Sequence, residues 1–210
     1  MRVVPTRAER QAQTRTELID AAERRFTAQG FHATSVADVA AEAGYTTGAV
    51  YSNFASKEDL FFAVYERRAE AALRYVEQSI QADGDAAALE RIGADTAARR
   101  GRDDGWLAVF LEFWAHVVRT PELRARFAEI HTRASKPVAD AVARVTGGGE
   151  GPLTATAVTA AMNVMQIGLA LERLTRPGLV DAELPARMVR LVLDDMARSG
   201  SGGKGRWRTA

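Results

Sequence analysis

Residues Thr46 to Phe54 read TTGAVYSNF. The stretch carries no charge, is small at one end and holds two aromatics at the other. A core helix would carry more apolar side chains, and a plain surface helix would carry Lys and Glu. Val50 and Phe54 are four residues apart and predict a single inward face. Thr46, with an oxygen suited to capping, then opens an exposed first turn of Thr46, Thr47, Gly48 and Ala49. Tyr51, Ser52 and Asn53 add hydroxyl and amide groups. This is a helix built to be touched.

The flanks give it a setting. Upstream, Thr34 or Ser35 caps a short helix, Ser35 and Asp38 have capping-box spacing, and Val36, Val39 and Ala40 predict an inward face. That short helix stops at Gly44, where a tight turn needs a positive φ. Downstream, Ser56 caps a further helix, with Asp59 three residues on. Two short helices joined by a glycine-containing turn form a helix-turn-helix, whose second member enters the major groove. Small side chains let the backbone approach closely, and a helix N-terminus favours phosphate. Threonine hydroxyls bond phosphates or bases, and Thr or Ala methyls pack on a thymine methyl. Lys57 adds a positive charge at the start of the next helix. A capped turn in an ordinary helical bundle would share the pattern. The uncharged, donor-rich outer face and the arginines upstream (Arg2, Arg7, Arg10 and Arg15) favour DNA.

Composition alone does not point there. The 210 residues hold 28 basic and 27 acidic side chains, a net charge of +1, so any DNA reading rests on local placement. A hydrophobic content of 47% is enough for a real core. The absence of cysteine excludes disulfides, thiolate metal sites and a cysteine nucleophile, and fits a reducing compartment. No apolar run approaches the ~20 residues that a membrane helix needs. MRVVPTRAERQAQTR has no apolar core of the kind a secretory signal requires. A soluble cytoplasmic protein with no cofactor is expected.

The remaining chain reads as helix throughout. Ala, Leu, Glu and Arg dominate, apolar residues recur at three and four, and strand-like alternation is missing. The expectation is an all-α fold of about nine helices. Residues 1–56 form an arm and helix-turn-helix domain, 57–199 a larger helical domain, and 200–210 a flexible tail. The first helix runs from about Arg7 to Gln29, with Ile19, Ala22 and Phe26 on one face. Gly30 takes a left-handed C-terminal position, and Phe31 folds back onto the last turn. The helix from Lys57 to about Gln81 links the two domains. Pro137 either kinks or breaks its segment.

These residues resemble the N-terminal domain of TetR-family transcriptional regulators from about Ala12 to Tyr65. The string is Ala21-Ala22…Phe26…Gly30-Phe31…Thr34-Ser35-Val36…Ala40…Ala43-Gly44…Gly48…Val50-Tyr51…Phe54…Lys57-Glu58-Asp59-Leu60. It covers about a quarter of the chain. The resemblance implies an all-α homodimer with a three-helix DNA-binding head and a larger ligand-binding body. Carried over by motif position, Thr34, Thr46, Thr47, Gly48, Tyr51, Ser52, Asn53 and Lys57 meet DNA, and the exposed first turn adds Ala49. Thr47 stands where many members carry lysine, and Asn53 where histidine is common. Phosphate contact is therefore expected to lean on Lys57, the helix N-terminus and the arm.

Past Lys57 the family pattern fades. WLAVFLEFWAHVV, residues 106 to 118, concentrates aromatics, with positions 106, 110, 113 and 117 on one face. Such a stripe is core more often than ligand box. The cavity that the resemblance implies makes Trp106, Phe110, Phe113, Trp114 and Val117 pocket candidates, with Met162, Met165 and Gln166 as a facing wall. Methionine adapts to varied shapes, and few charges point to an apolar or aromatic effector. Glu112 and His116 share a helix face, but two residues are too few for a metal, and a salt bridge or pocket hydrogen bond is expected instead. Val158 and Leu169 on one helix, with Leu184, Met188, Leu191, Val192 and Met196 on the next, predict a dimer surface paired as a four-helix bundle. A twofold dimer calls for a palindromic operator.

The expected function is a ligand-responsive repressor. Its partners are double-stranded operator DNA, a small effector and a second copy, with no membrane. An activator or architectural DNA-binder without ligand is the alternative, distinguished by a packed core in place of a cavity. A helical enzyme is disfavoured, because no nucleophile–base pair, metal cluster or phosphate loop is present.

Overall fold

The computed structural model describes residues 6–100, 104–147, 154–181 and 183–201. Among them are nine helices and no strand: α1 (Arg7–Gln29), α2 (Val36–Ala43), α3 (Thr47–Tyr51), α4 (Lys57–Asp83), α5 (Asp85–Arg100), α6 (Asp104–Arg119), α7 (Pro121–Thr146), α8 (Ala155–Thr175) and α9 (Leu184–Ser201). The expected tail lies almost wholly outside the described residues, as do Arg2 and Trp207.

Local chemistry fixes the early boundaries. Thr6 and Glu9 form a reciprocal capping box at the start of α1, and Ser35 and Asp38 do the same for α2. Thr46 caps α3 by accepting from the Ala49 amide, and Ser56 accepts from the Asp59 amide at the start of α4. Gly44 closes α2 in the left-handed helical conformation, φ 74° and ψ 25°. Gly30 differs from expectation: its φ of 88° is positive but its ψ is 166°, so the chain leaves α1 extended. α7 runs unbroken through Pro137.

The chain divides into two compact units that interleave in sequence. The first comprises Met1–Glu70 and Gly105–Ile130, and the second Ala71–Asp104 and His131–Ala210. The division expected at residue 56 is therefore displaced. α4 crosses from one unit to the other, as does α7, and α6 belongs with the helix-turn-helix.

The first unit is held by rings. Phe26, Phe31, Phe61, Phe62 and Phe113 are each at most 1% exposed. Phe61 and Phe113 stack with centroids 3.9 Å apart, and Phe31 meets both edge-on at 5.5 and 5.0 Å. This explains why LFFAVY (Leu60 to Tyr65) is buried at every position: α1 covers one side of α4 and α6 another. Full burial of one such ring is worth about 2–3 kcal/mol. Around the rings, Arg67 pairs with Asp20 and Glu23, Arg68 with Glu23, and Arg126 with Asp59.

The second unit has an aliphatic core of Leu89, Ala141, Val142, Val158, Met162, Val189 and Leu193. α5 lies against α8 and α9. Gly93 permits this, because a Cβ there would stand 2.9 Å from Val189 Cγ2 and 3.4 Å from Gln166 Nε2. Ion pairs Arg144–Asp85 and Arg190–Glu90 tie the periphery.

Candidate nucleic-acid interface

α3 is five residues long and anchored through one side. Val50 and Phe54 are buried at 1% and 4% exposure, and Arg15 secures the far end. Its Nη1 donates to the Asn53 carbonyl at 2.9 Å, and its guanidinium lies 4.3 Å over the Phe54 ring. α1 and the end of α3 thus enclose an open groove of about 320 Å³ lined by Ala8, Gln11, Ala12, Arg15, Ser52 and Asn53.

The outward groups differ in how free they are. Thr46, Thr47, Gly48, Tyr51 and Ser52 are exposed, with Ala49 and Asn53 half-buried. Ser52 Oγ and Asn53 Nδ2 both donate to the Ala49 carbonyl, at 2.8 Å each, closing the end of the helix on itself. Thr46 Oγ1 is occupied as a cap acceptor. Thr47 and Tyr51 have no side-chain partner among the described residues, and Tyr51 is 56% exposed. More than half of Tyr51 is thus open to solvent at the tip of a fixed helix.

Two of the residues expected at the DNA, Thr34 and Lys57, are engaged by the chain itself. Thr34 is 1% exposed, and its hydroxyl bonds the Gly30 and Arg25 carbonyls. Its side chain fastens the turn between α1 and α2 and is closed off from solvent. Lys57 Nζ donates to the carbonyls of Phe31, His32 and Thr34 at 3.0, 3.4 and 3.1 Å, and lies 4.5 Å from the centre of the Phe31 ring. An ammonium has three donors, so the chain itself engages all of them. Arg7 and Arg10 are exposed on the first turns of α1.

Carboxylates in this unit are used as fasteners. The Tyr45 hydroxyl, with Gln13 beside it, holds Glu17 below the usual carboxylate range. Ser35 does so for Asp38, and Arg24 for Glu42. Glu112 accepts from the Phe31 and His32 amides at 2.7 and 3.0 Å, and His116 Nε2 lies 3.5 Å from Glu58. Glu112 and His116 thus make hydrogen bonds and an ion pair within the unit that holds the helix-turn-helix. No group of His, Asp or Glu among the described residues could hold a metal ion.

The pocket candidates fall in different units. Phe113 and Val117 are 0% and 2% exposed, and Phe113 is enclosed by Phe31, Phe61 and Phe62. Phe110 and Trp114 pack with Phe127, and Trp106 stacks on Phe61 beneath Arg68. The aromatic stripe of α6 is therefore packing of the first unit. Met162, Met165 and Gln166 are in the second unit, where Gln166 is 5% exposed and its Oε1 has no hydrogen-bond partner among the described residues.

The expected dimer residues also divide. Val158 is 4% exposed inside its own unit's core, with Val192 and Met196 packed against it. Leu169, Leu184 and Met188 are half-buried, and only Leu191 stands out, at 60% exposure. The outer face of α8 was missed. Ala157, Ala161, Val164, Gly168 and Leu171 are all exposed and follow a 4-3-4-3 spacing. Val164 is 60% exposed, and nothing lies within 4 Å of a Cβ built on Gly168. No helix among the described residues is long and apolar enough to cross a membrane.

Comparison with known proteins gives two family matches. Residues 18–64 match the bacterial regulatory proteins of the tetR family, and residues 85–198 match the C-terminal part of BetI-type transcriptional repressors. The HTH-type transcriptional regulator AcrR of Shigella flexneri is 43% identical over 54 residues, which is 26% of this chain and 25% of AcrR. TtgR of Pseudomonas putida is likewise 43% identical over 54 residues, 26% of each chain. The chain thus spans about a quarter of the length of these curated relatives. Among solved structures, a TetR transcription regulator from Haloarcula marismortui superposes with a TM-score of 0.66 at 17% identity, covering 90% of this chain and 98% of that one. FadR from Bacillus subtilis, solved in complex with stearoyl-CoA, has a TM-score of 0.66 at 19% identity, covering 88% and 98%. At such identities these two likenesses show the shared fold.

Proposed function

We infer that this chain, which belongs to the TetR family of bacterial regulatory proteins, is a repressor that binds a palindromic operator as a homodimer and is released by a small effector. The observation that carries the DNA reading is α3: Thr47 and Tyr51 project from a helix fixed by Val50, Phe54 and Arg15, with no side-chain partner among the described residues. A tyrosine hydroxyl and a threonine hydroxyl and methyl suit phosphates and base edges. Gly48 and Ala49 keep the approach unobstructed. Arg7 and Arg10 supply backbone charge.

The second unit would carry dimer and effector. The stripe of Ala157, Ala161, Val164, Gly168 and Leu171, with Leu191 on α9, is an apolar helix face of the kind that a twofold partner buries. Effector would enter among Met162, Met165 and Gln166. Methionines accommodate an apolar body, and the unpartnered Gln166 oxygen accepts from a polar group. The match to BetI-type repressors and the stearoyl-CoA bound by FadR support repression by a protein whose effector is largely apolar with a polar end. By linkage, effector must favour the conformation that does not bind DNA, and operator must weaken effector binding by the same factor.

The test is binding to duplexes from the promoter region upstream of the chain's own gene, across a salt series. Wild type should bind one fragment, and Tyr51→Ala should bind it about tenfold more weakly with unchanged thermal stability. Equal binding by Tyr51→Ala would remove α3 from the interface and sink the reading.

A further inference from the structure

We propose that Glu112 on α6 is a positioning residue for DNA recognition: it fixes the turn from which the helix-turn-helix is built. This rests on the chain's reading as a DNA-binding regulator. The turn spans residues 30–34, between α1 and α2. Its backbone is bracketed by opposite charges. On one side both oxygens of a single carboxylate are used, Glu112 Oε2 by the Phe31 amide at 2.7 Å and Oε1 by the His32 amide at 3.0 Å. On the other side Lys57 Nζ takes the carbonyls of Phe31, His32 and Thr34. Hydrogen bonds to ionised groups are the strong ones, and here five of them meet one five-residue turn.

The turn has little freedom to do otherwise. The Thr34 hydroxyl ties it back to Gly30 and Arg25. Gly30 has a φ of 88°, and a Cβ there would lie 2.7 Å from Glu112 Oε2, so glycine is needed for both backbone conformation and space. The next residue, Ser35, caps α2, and the three-residue turn at Gly44 joins α2 to α3. A displacement of the turn is carried along α2, whose N-cap is the next residue, toward Thr47 and Tyr51. One helical turn beyond Glu112, His116 lies beside Glu58 at the start of α4. α6 therefore grips the helix-turn-helix where the chain enters it and where it leaves. Glu112 meets no DNA itself. It acts through the backbone it holds.

Glu112→Gln and Glu112→Ala test this beside Arg126→Ala, which removes the Asp59 ion pair of the same unit without touching the turn. Gln offers one acceptor oxygen where two amides need one each. Operator affinity is measured well below every variant's unfolding temperature, so that loss of stability alone does not register. Both Glu112 variants should bind about tenfold more weakly, with the slope of log affinity against log salt unchanged because no phosphate contact is lost. Arg126→Ala should match wild type. Amide exchange of free Glu112→Gln should speed up at Phe31 and His32 and through α2 and α3. Unchanged or tighter binding by the Glu112 variants would overturn the proposal, as would an equal loss in Arg126→Ala. If wild type bound no duplex, the repressor reading would fail separately. Exchange would then decide: α2 and α3 protected as in wild type would overturn the positioning role.

Discussion

The two units solve the same problem, a helical core, with different materials. The first is built of stacked rings, and the polar group buried in its turn, Thr34, is bonded twice. The second is built of Val, Leu, Ala and Met, and among the described residues three of its buried side chains, Ser79, Thr159 and Gln166, hold oxygens with no hydrogen-bond partner, against one buried nitrogen without one, Arg25 Nε, in the first. Buried polar groups without partners are rare, and methionine-bearing aliphatic cores adapt more readily than stacked rings. A unit that must present α3 in one orientation profits from rings and satisfied turns. If the proposed effector enters the second unit, those oxygens are polar atoms it would satisfy.

The largest expected effect comes from removing a ring. Phe113→Ala should cost about 3–5 kcal/mol, because the residue is fully buried and its stacked partners cannot collapse into the space. Gly93→Ala should cost less, about 1–3 kcal/mol, by pressing a methyl against the stiff, buried Val189. Trp106 and Trp114 both belong to the first unit, so in a Trp207→Phe background tryptophan fluorescence in a urea titration reports that unit. Phe113→Ala should shift the fluorescence midpoint more than the helical circular dichroism midpoint, and Gly93→Ala the reverse. If each variant moved both midpoints together, the units would unfold as one and the contrast would be broken.

A smaller effect is expected from acid. Glu9, Glu17, Asp38 and Glu42 in the first unit have depressed pKa values, against Asp85 in the second. A carboxylate whose folded pKa is lowered contributes stability that is present above its unfolded pKa and lost as pH falls through the folded value. Below the ordinary glutamate value of 4.5 the first unit should therefore lose stability ahead of the second. Fluorescence and circular dichroism melts in steps down to pH 3 would read it. The effect should be modest because these groups are at the surface.

Much of the first unit was legible in sequence. The caps at Ser35, Thr46 and Ser56, the turn at Gly44 and the inward pair Val50 and Phe54 are local decisions, readable from a few neighbours. What was not legible is long-range. Nothing near Glu112 says that it bonds an amide 81 residues earlier, or that the α6 aromatics complete the core begun by Phe26 and Phe31. Lys57 looked like a phosphate ligand because a lysine's partners among backbone carbonyls leave no mark in sequence. On α8 the difficulty was of another kind. Apolar and small residues occupy both faces, so the inward stripe with Val158 masked the outward one with Val164 and Leu171. Only burial separates the two.

The central claim is that α3 reads DNA, twice over, in a symmetric dimer. The most direct measurement is a selection of bound duplexes from a random pool by wild type, with the recovered sequences compared. The account predicts an inverted repeat whose half-sites lie on one face of the duplex, about 10 base pairs or a multiple apart, and a relaxed repeat when Tyr51→Ala is used. Recovery of an unrepeated site, or a repeat that Tyr51→Ala selects as strongly as wild type, would contradict it.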